Sequence, residues 1–409
     1  AAAATAVAWD AHNADALLRE ADAVAERDPQ RAQALARRAL DANPASARAF
    51  LVLARLAARA GDTPRYAQML TRSAELEPQN APTRLALAEL AVQQHDPAAA
   101  LANIDAAIRA RPALAADLYP QILALSRTPD GEAELARLLA QRVPLWWSGF
   151  FAHAAAQAES VQVPLRLLEL RRAVDPSPGV LDRQPLIARL ASEREWQAAF
   201  FLWINGLTPD QRRAAGNVYN GSFEVPFTAT TFDWRHPVRN GVEVEALPTF
   251  GTTGARALRL AFQGPVAEPR LIAQTLLLDP GYVYELRGRY RLESVRTAFG
   301  LQWELACGAH APHAPLAAGE RLVGTTDWRE FTVRFTVPAQ CYPQQLALVL
   351  RGDAKLDLQA TGLAWFDDVH VLRGAPASTG KTAANTESLA PAAAGGGEAS
   401  SASRIRTRG

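Results

Sequence analysis

Cysteine and histidine residues cluster in one short stretch of the C-terminal half of the chain. Cys307, His310 and His313 form a Cys-x-x-His-x-x-His pattern, and Cys341 follows as the second and last cysteine. Four such ligands would complete the tetrahedral coordination that Zn²⁺ prefers. The alternative is a disulfide, because an even pair of cysteines in a strand-rich region suits an oxidising compartment. The pattern favours a disulfide between Cys307 and Cys341, with zinc as the alternative.

The sequence contains none of the common catalytic patterns. A Gly-x-Ser-x-Gly elbow, a phosphate-binding glycine loop and a His-Glu-x-x-His pair are all absent. Asp367 and Asp368 are adjacent on a strand-like run, so their side chains point to opposite faces and are unsuited to shared acid/base catalysis. We therefore predict that the chain is not an enzyme and carries no catalytic cofactor. A glycan-active enzyme with an acidic pair in an open cleft is the minor alternative.

The N-terminal half of the chain carries a repeat of 34 residues. Three prolines and three aspartates recur at that spacing, and each aspartate marks a predicted turn between paired helices: Pro44, Pro78 and Pro112, and Asp28, Asp62 and Asp96. Small residues fall where paired helices must approach closely, at Ala39, Ala54, Ser73, Ala88 and Ala107. Residues 10–112 thus resemble tetratricopeptide repeats, which implies a helical solenoid that docks a protein partner.

Between residues 113 and 210 the pattern stays helical, but the 34-residue spacing is lost. This segment predicts degenerate repeats or capping helices. After residue 216 the hydrophobic period changes from helical to two, as in the alternation of Phe331, Val333 and Phe335 with charged and polar neighbours. About ten such runs predict an antiparallel β-sandwich over residues 217–374.

The two periods do not interleave, so we expect each half to close its own core with few shared contacts. The fold class is therefore predicted as a multidomain α+β chain, with the helical solenoid first and the antiparallel jelly roll second. Residues 375–409 are rich in Ala, Gly, Ser and Thr, and this composition predicts a disordered tail.

Four motifs of the second half appear in a characteristic order. They are the Asn220-Gly221-Ser222-Phe223-Glu224 start, Gln274 before Pro280-Gly281-Tyr282, a Trp328-x-x-Phe strand, and the Asp367-Asp368-Val369 end. Together they resemble the galactose-binding-like jelly rolls of carbohydrate-binding modules. The resemblance implies glycan binding and neighbouring first and last strands, each with a carboxylate that helps to hold a structural calcium. Glu224 and Asp367 match those carboxylates, and capped strand ends without metal are the alternative.

Sugar recognition combines an aromatic face for a sugar ring with planar polar groups for its hydroxyls. Trp303, flanked by Gln302 and Glu304, is one candidate for this chemistry, and the row Arg287, Arg289 and Arg291 is a second. Each candidate has a structural alternative. Trp303 is in phase with leucines and fits a core position, and the arginines fit either an acidic polysaccharide or a solvated sheet face.

The composition also limits the compartment and the partners. A net charge of +1 provides no global field for nucleic acid. No stretch of about 20 apolar residues would span a bilayer. The Ala-rich start over residues 1–9 is typical of the end of a removed signal peptide or a trimmed membrane anchor. We predict a periplasmic or otherwise exported binding protein, active in exopolysaccharide or cell-surface polysaccharide assembly. The alternative is a purely structural protein–protein scaffold.

Overall fold

The computed structural model describes residues 13–175, 179–237, 241–308, 315–352 and 357–376. The expectations for residues 1–9, for His310 and His313, and for most of the 375–409 tail lie outside these residues. Within them, helices fill the N-terminal half and antiparallel strands fill the C-terminal half, so the predicted fold class is confirmed. None of the helices in these ranges is both long and apolar enough to cross a membrane.

The described helices follow one another from Ala14 to Arg213. They are α1 Ala14–Val24, α2 Pro29–Ala42, α3 Ala47–Arg59, α4 Thr63–Leu76, α5 Ala81–Gln93, α6 Pro97–Ala110, α7 Ala115–Leu125, α8 Pro129–Gln141, α9 Trp147–Gln157, α10 Gln162–Val174, α11 Val180–Ser192, α12 Trp196–Ile204 and α13 Pro209–Arg213. The first six form three consecutive pairs, as the 34-residue period predicts.

The repeated aspartates start the second helix of each pair. The side chains of Asp28, Asp62 and Asp96 accept the backbone N–H three residues ahead, at 2.9, 3.1 and 2.9 Å. Each cap satisfies one of the free N–H groups of a helix start and contributes about 1 kcal/mol. The predicted turn positions are therefore confirmed.

The small residues of the repeat lie where the helices are closest. Ala54 and Ser73 are fully buried, and Ala88 is 3% exposed. The Ser73 hydroxyl donates to the carbonyl of Ala47 at 2.9 Å, so even the polar member of the set is satisfied inside the interface. A larger side chain at these positions would push the helices apart.

We expect Ala54→Trp to destabilise the helical half by about 1 to 3 kcal/mol, because no space remains beside the Ala54 methyl group. Ala58→Trp, on the exposed side of the same helix, is the matched control. Urea unfolding followed by circular dichroism measures both. Equal unfolding midpoints for the two variants would show that Ala54 is not an interface residue.

Nine described strands form two antiparallel sheets. They are β1 Val242–Pro248, β2 Arg256–Pro265, β3 Arg270–Leu276, β4 Tyr282–Thr297, β5 Leu301–Cys307, β6 Ala317–Ala318, β7 Gly324–Thr336, β8 Gln344–Leu350 and β9 Gln359–Pro376. The five-stranded sheet has the order β1-β2-β9-β4-β7, and the four-stranded sheet has the order β3-β8-β5-β6. Strand β9 runs to Pro376, past the predicted end of the sandwich at residue 374.

The motif that opens the sandwich lies beside its last strand. Residues 220–222 form a turn and residues 223–224 are irregular, and the Val369 N–H donates to the Gly221 carbonyl at 2.9 Å. Gln274 secures the segment just before it, because its amide exchanges two hydrogen bonds with the backbone of Tyr219 at 2.8 and 2.9 Å. Gln274 is 1% exposed, so this motif residue anchors the segment through which the chain enters the sandwich.

The helical half and the sandwich share a core at their junction. Trp203 of α12 is 1% exposed and packs edge-on against Tyr219, with ring centroids 4.9 Å apart. Its indole N–H donates to the Thr230 hydroxyl at 3.0 Å, and Phe232 contacts both Trp203 and Phe200. The two halves therefore meet through an aromatic cluster that α12 forms with the segment leading into the sandwich, and the expectation that each half folds alone stays a prediction.

Candidate ligand-binding face of the sandwich

The three arginines of β4 project from the outer face of the five-stranded sheet. Burial alternates along β4: Tyr284, Leu286 and Tyr290 are buried in the core, and Arg287, Arg289 and Arg291 point the other way. This alternation follows from the two-residue period of a strand with one side on a core. The arginines therefore share one face of one sheet, as their spacing predicts.

Two tryptophans from neighbouring strands lie among these arginines. The guanidinium groups of Arg289 and Arg291 lie 5.3 and 5.5 Å from the ring centre of Trp328, a β7 residue. Arg291 also lies 4.9 Å from the ring centre of Trp365, which β9 contributes. These are cation–π distances. We call Arg289, Arg291, Trp328 and Trp365 the arginine–tryptophan belt.

The arginines of this face differ in their ion pairs. Arg291 pairs with Glu293 at 2.9 Å, and Arg287 pairs with Glu285. Among the described residues, Arg289 has no ion-pair partner, although it is half-buried against Trp328. A guanidinium has five N–H donors in a planar fork that matches a carboxylate. Arg289 is therefore the arginine of this row with its fork available to a ligand.

A depression of about 400 Å³ lies beside Arg289 on the same face. Its polar rim is formed by residues of β4, β7 and β9: Arg287, Arg289, Glu330, Thr332, Asp368 and His370. Gly288 lies at its floor in phase with the core side of β4, where a Cβ would point away from the depression and lie 2.6 Å from the Phe331 ring. The depression thus presents donors and acceptors around a shallow, open centre.

A loop between β1 and β2 adds an exposed aromatic ring beside the belt. Phe250 is 93% exposed, and its backbone carbonyl accepts the Trp328 indole N–H at 3.0 Å. Gly251 has a positive φ of 77°, and a Cβ there would lie 2.8 Å from Trp328. The close approach that glycine allows therefore holds the Phe250 loop against the belt.

The other glycan candidates lie elsewhere in the sandwich. Trp303 is 1% exposed and bridges the two sheets, stacked on Phe331 at 6.2 Å and edge-on to Phe366 at 5.4 Å. It has no ring face to offer a ligand. Gln302 and Glu304 project from the four-stranded sheet, on the side of the sandwich opposite the belt. The six predicted glycan residues thus do not form one site, because they lie on two faces and in the core.

Gln302 and Glu304 have local partners on their own face. The Glu304 carboxylate pairs with Arg351 at 2.9 Å, and Arg351 also donates to the Gln302 carbonyl oxygen at 3.0 Å. Burial raises the pKa of Glu304, and the positive charge of Arg351 opposes that rise. These contacts place Gln302 and Glu304 in a local network of hydrogen bonds and one ion pair with Arg351.

The two carboxylates predicted to hold calcium reach the same loop. Glu224 accepts the N–H groups of Ala255 and Arg256 at 2.8 and 3.0 Å, and Asp367 accepts that of Thr253 at 2.9 Å. Asp367 is fully buried, and burial raises the pKa of its carboxyl group. The described residues contain no group of three His, Cys, Asp or Glu arranged to hold a metal.

The predicted disulfide is confirmed. Cys307 at the end of β5 and Cys341 before β8 are bonded, with their Cα atoms 4.8 Å apart. Strands β5 and β8 are paired neighbours in the four-stranded sheet, so the bond closes the end of an existing ladder. Neither cysteine sulfur is therefore available as a zinc ligand in this state.

The tryptophans of the belt and His370 were not predicted as site residues. Trp328 was used only as part of a family motif. The signal for Trp365 was its position directly before Phe366: adjacent strand residues face opposite sides, and Phe366 is fully buried. Trp328 stands three positions before the buried Phe331, which also predicts the outer face.

The chain matches no family model and no curated protein sequence. Among solved structures it is similar to a CBM4 domain, with 19% identity over 38% of this chain and 99% of that one and a TM-score of 0.30. It is also similar to a CBM61 domain in complex with β-1,4-galactotriose, with 14% identity over 39% and 99% of the two chains and a TM-score of 0.25. A third is YrrB, a TPR protein with an unusual peptide-binding site, at 12% identity, 50% and 91% coverage and a TM-score of 0.28.

Proposed function

We propose that this chain is a non-enzymatic binding protein whose arginine–tryptophan belt takes up a glycan with acidic groups. The observation that carries the proposal is Arg289. Its guanidinium stacks on Trp328, has no ion-pair partner among the described residues, and borders the 400 Å³ depression. A sugar carboxylate or sulfate placed there would gain charge-assisted hydrogen bonds to a pre-oriented fork.

The belt favours acidic over neutral sugars because of how its rings are covered. A neutral sugar uses the open face of an aromatic ring, but guanidinium groups already lie over Trp328 and Trp365. The stacked arginines are held in place with part of their rotamer freedom already lost, which lowers the entropy cost of binding an anion. Phe250, which is 93% exposed, remains as an open ring for the apolar side of the same ligand.

We expect Arg289→Ala to weaken binding of an acidic polysaccharide such as polygalacturonate by roughly 10- to 100-fold, from the loss of charge-assisted hydrogen bonds of about 1.5 to 3 kcal/mol. Arg334→Ala is the matched control, since Arg334 lies on the same sheet face but is paired with Glu285 at 2.7 Å. Affinity electrophoresis in gels containing acidic or neutral polysaccharide measures both. Equal retardation of the two variants, or retardation of the native chain by neutral polysaccharide alone, contradicts the proposal.

We propose that the helical half binds a protein partner and that the chain acts in an exported compartment. A cavity of about 380 Å³ lies between α5, α6 and α7, and it is lined by the half-exposed Val92. The Cys307–Cys341 disulfide favours an oxidising compartment over the cytosol. Partner capture with native and Val92→Glu proteins tests the first statement, and cell fractionation tests the second. A role in envelope polysaccharide assembly extends this proposal and rests on both.

We further propose that Glu224 and Asp367 help to hold a structural calcium that links the β1–β2 loop to β9. The donor set fits this ion, because both residues offer hard carboxylate oxygens and Asp367 is buried with a pKa raised by burial, so a bound cation would stabilise its charged form. Backbone carbonyls and water would complete the shell of six to eight oxygens.

We expect calcium at about 100 times its dissociation constant to stabilise the native chain by about 2.7 kcal/mol, measured as a rise in melting temperature over the same sample in chelator. Glu224→Gln should abolish this rise. Glu159→Gln, at a solvent-exposed glutamate of the helical half, should retain it. An identical melting temperature of the native chain in calcium and in chelator would exclude a structural calcium.

A further inference from the structure

A second cavity lies where the helical half meets the sandwich. It measures about 360 Å³ and is lined by α12, by residues 216–219 and by the edge strand β3. Aromatic side chains supply much of its wall, with Phe200, Phe201 and Tyr342 partly exposed and Trp203 and Phe232 buried behind them. Cavities of this size at the junction of two structural units are common positions for small-molecule sites.

The wall of this junction cavity is uncharged. The described residues that line it include no Asp, Glu, Lys, Arg or His. An ion placed there would lose hydration without gaining a partner of opposite charge, which is costly. The junction cavity is therefore suited to a neutral ligand, in contrast to the arginine–tryptophan belt.

Polar groups nevertheless reach the cavity from two directions. Gln197 of α12 and Asn217 of the entry segment bring side-chain amides to the wall, and the Asn217 amide N–H already donates to the Val371 carbonyl at 3.0 Å. Tyr219, which is 3% exposed, keeps a buried hydroxyl without a hydrogen-bond partner among the described residues. Planar amides and hydroxyls beside aromatic rings are the groups that contact sugar hydroxyls and sugar ring faces.

The open edge of the four-stranded sheet adds backbone donors and acceptors. Strand β3 is the edge strand, and on its outer side Ala273 exchanges two backbone hydrogen bonds with Arg235, at 2.9 and 2.8 Å, so this edge is partly paired. Backbone groups alternate in direction along a strand, so Thr275 points its N–H and C=O to the same free edge. Thr275 lines the cavity, which places these groups within reach of a ligand.

We propose that the junction cavity is a second ligand site, which binds an uncharged sugar ring between α12 and the edge of β3. The apolar face of the ring would pack on the aromatic wall, and its hydroxyls would meet the amides and the free backbone groups of β3. This site is independent of the belt, and its occupant would contact both halves of the chain at once.

In the test, the full chain is titrated with glucose, galactose, N-acetylglucosamine and cellobiose. Calorimetry and the intrinsic fluorescence of its nine tryptophans, which include Trp203 in the cavity wall, measure binding. We expect at least one of them to bind with a dissociation constant of about 1 mM or lower. Phe201→Ala should weaken that binding roughly tenfold through the lost ring contact. Phe250→Ala, at the exposed phenylalanine beside the belt, should leave it unchanged. Phe201 is 64% exposed, so its replacement should preserve the melting temperature.

Three results would overturn the proposal. The first is no saturable binding of any of the four sugars. The second is binding that weakens in Phe250→Ala but not in Phe201→Ala, which places the sugar at the belt. The third is Phe201-dependent binding of a capped neutral tripeptide in the absence of sugar binding, which assigns the β3 edge to a peptide. Binding of the same protein samples to acidic polysaccharide reports separately on the belt. A failure of the junction site is therefore distinguishable from a failure of the proposed function.

Discussion

Replacing Trp203 with alanine is expected to lower the free energy of unfolding by about 3 to 5 kcal/mol, the usual cost of removing a buried tryptophan. Trp203 is 1% exposed, contacts Tyr219 and Phe232, and donates its indole N–H to Thr230. The substitution leaves a void between the halves and removes one hydrogen bond of the Thr230 hydroxyl, which keeps its contact with the Thr228 hydroxyl at 2.9 Å. Because residues of both halves line that void, we expect the sandwich to lose stability together with the last helices.

Urea unfolding followed by two probes measures this effect. Circular dichroism at helical wavelengths reports on the helical half, and limited proteolysis reports on the disulfide-containing sandwich. Phe201→Ala, an exposed position in the same helix, should change the stability by about 0.5 kcal/mol or less. A loss of under about 1 kcal/mol in Trp203→Ala, or a loss confined to the helical signal, would contradict a shared core.

Removing the disulfide should cost nearly as much. The Cys307–Cys341 bond joins residues 34 positions apart. The chain-entropy relation gives roughly 3 to 4 kcal/mol for closing a loop of that length. We expect the Cys307→Ser/Cys341→Ser double variant and the reduced native chain to unfold at similar, lower urea concentrations than the oxidised chain. Thiol titration of the denatured, unreduced chain should find no free thiol, and two free thiols would disprove the bond in solution.

The helical repeats were accessible to sequence reasoning because their signals are local. A capping aspartate and a buried alanine recur at one spacing, and each needs only its own helix pair to be interpreted, as Asp62 and Ala54 show. The alternation along β4 was equally local and placed Arg287, Arg289 and Arg291 on one outer face. The disulfide followed from there being only two cysteines in the whole chain.

The rest depended on which strands are neighbours, and a single sequence does not specify that. Trp328 and Trp365 are 37 positions apart in sequence, yet both contact Arg291 because β7 and β9 flank β4. For Trp303, by contrast, the phase with Leu301 and Leu305 already indicated a core position, and the structure confirms it. The shared core at Trp203 was missed because the change of period near residue 216 marks a change in secondary structure, and packing continues across it.

The position of β9 has a consequence for synthesis of the chain. The last strand is an inner strand of the five-stranded sheet, where it pairs with β2 on one side and β4 on the other. Until it emerges from the ribosome, β1–β2 and β4–β7 are two separate pairs with uncovered apolar faces. The sandwich therefore cannot form progressively during translation and must close late, through contacts between distant segments that are slow to form. A chain that ended before residue 359 would contain most of the sandwich sequence but neither of the ladders that join the two pairs, and we expect it to aggregate.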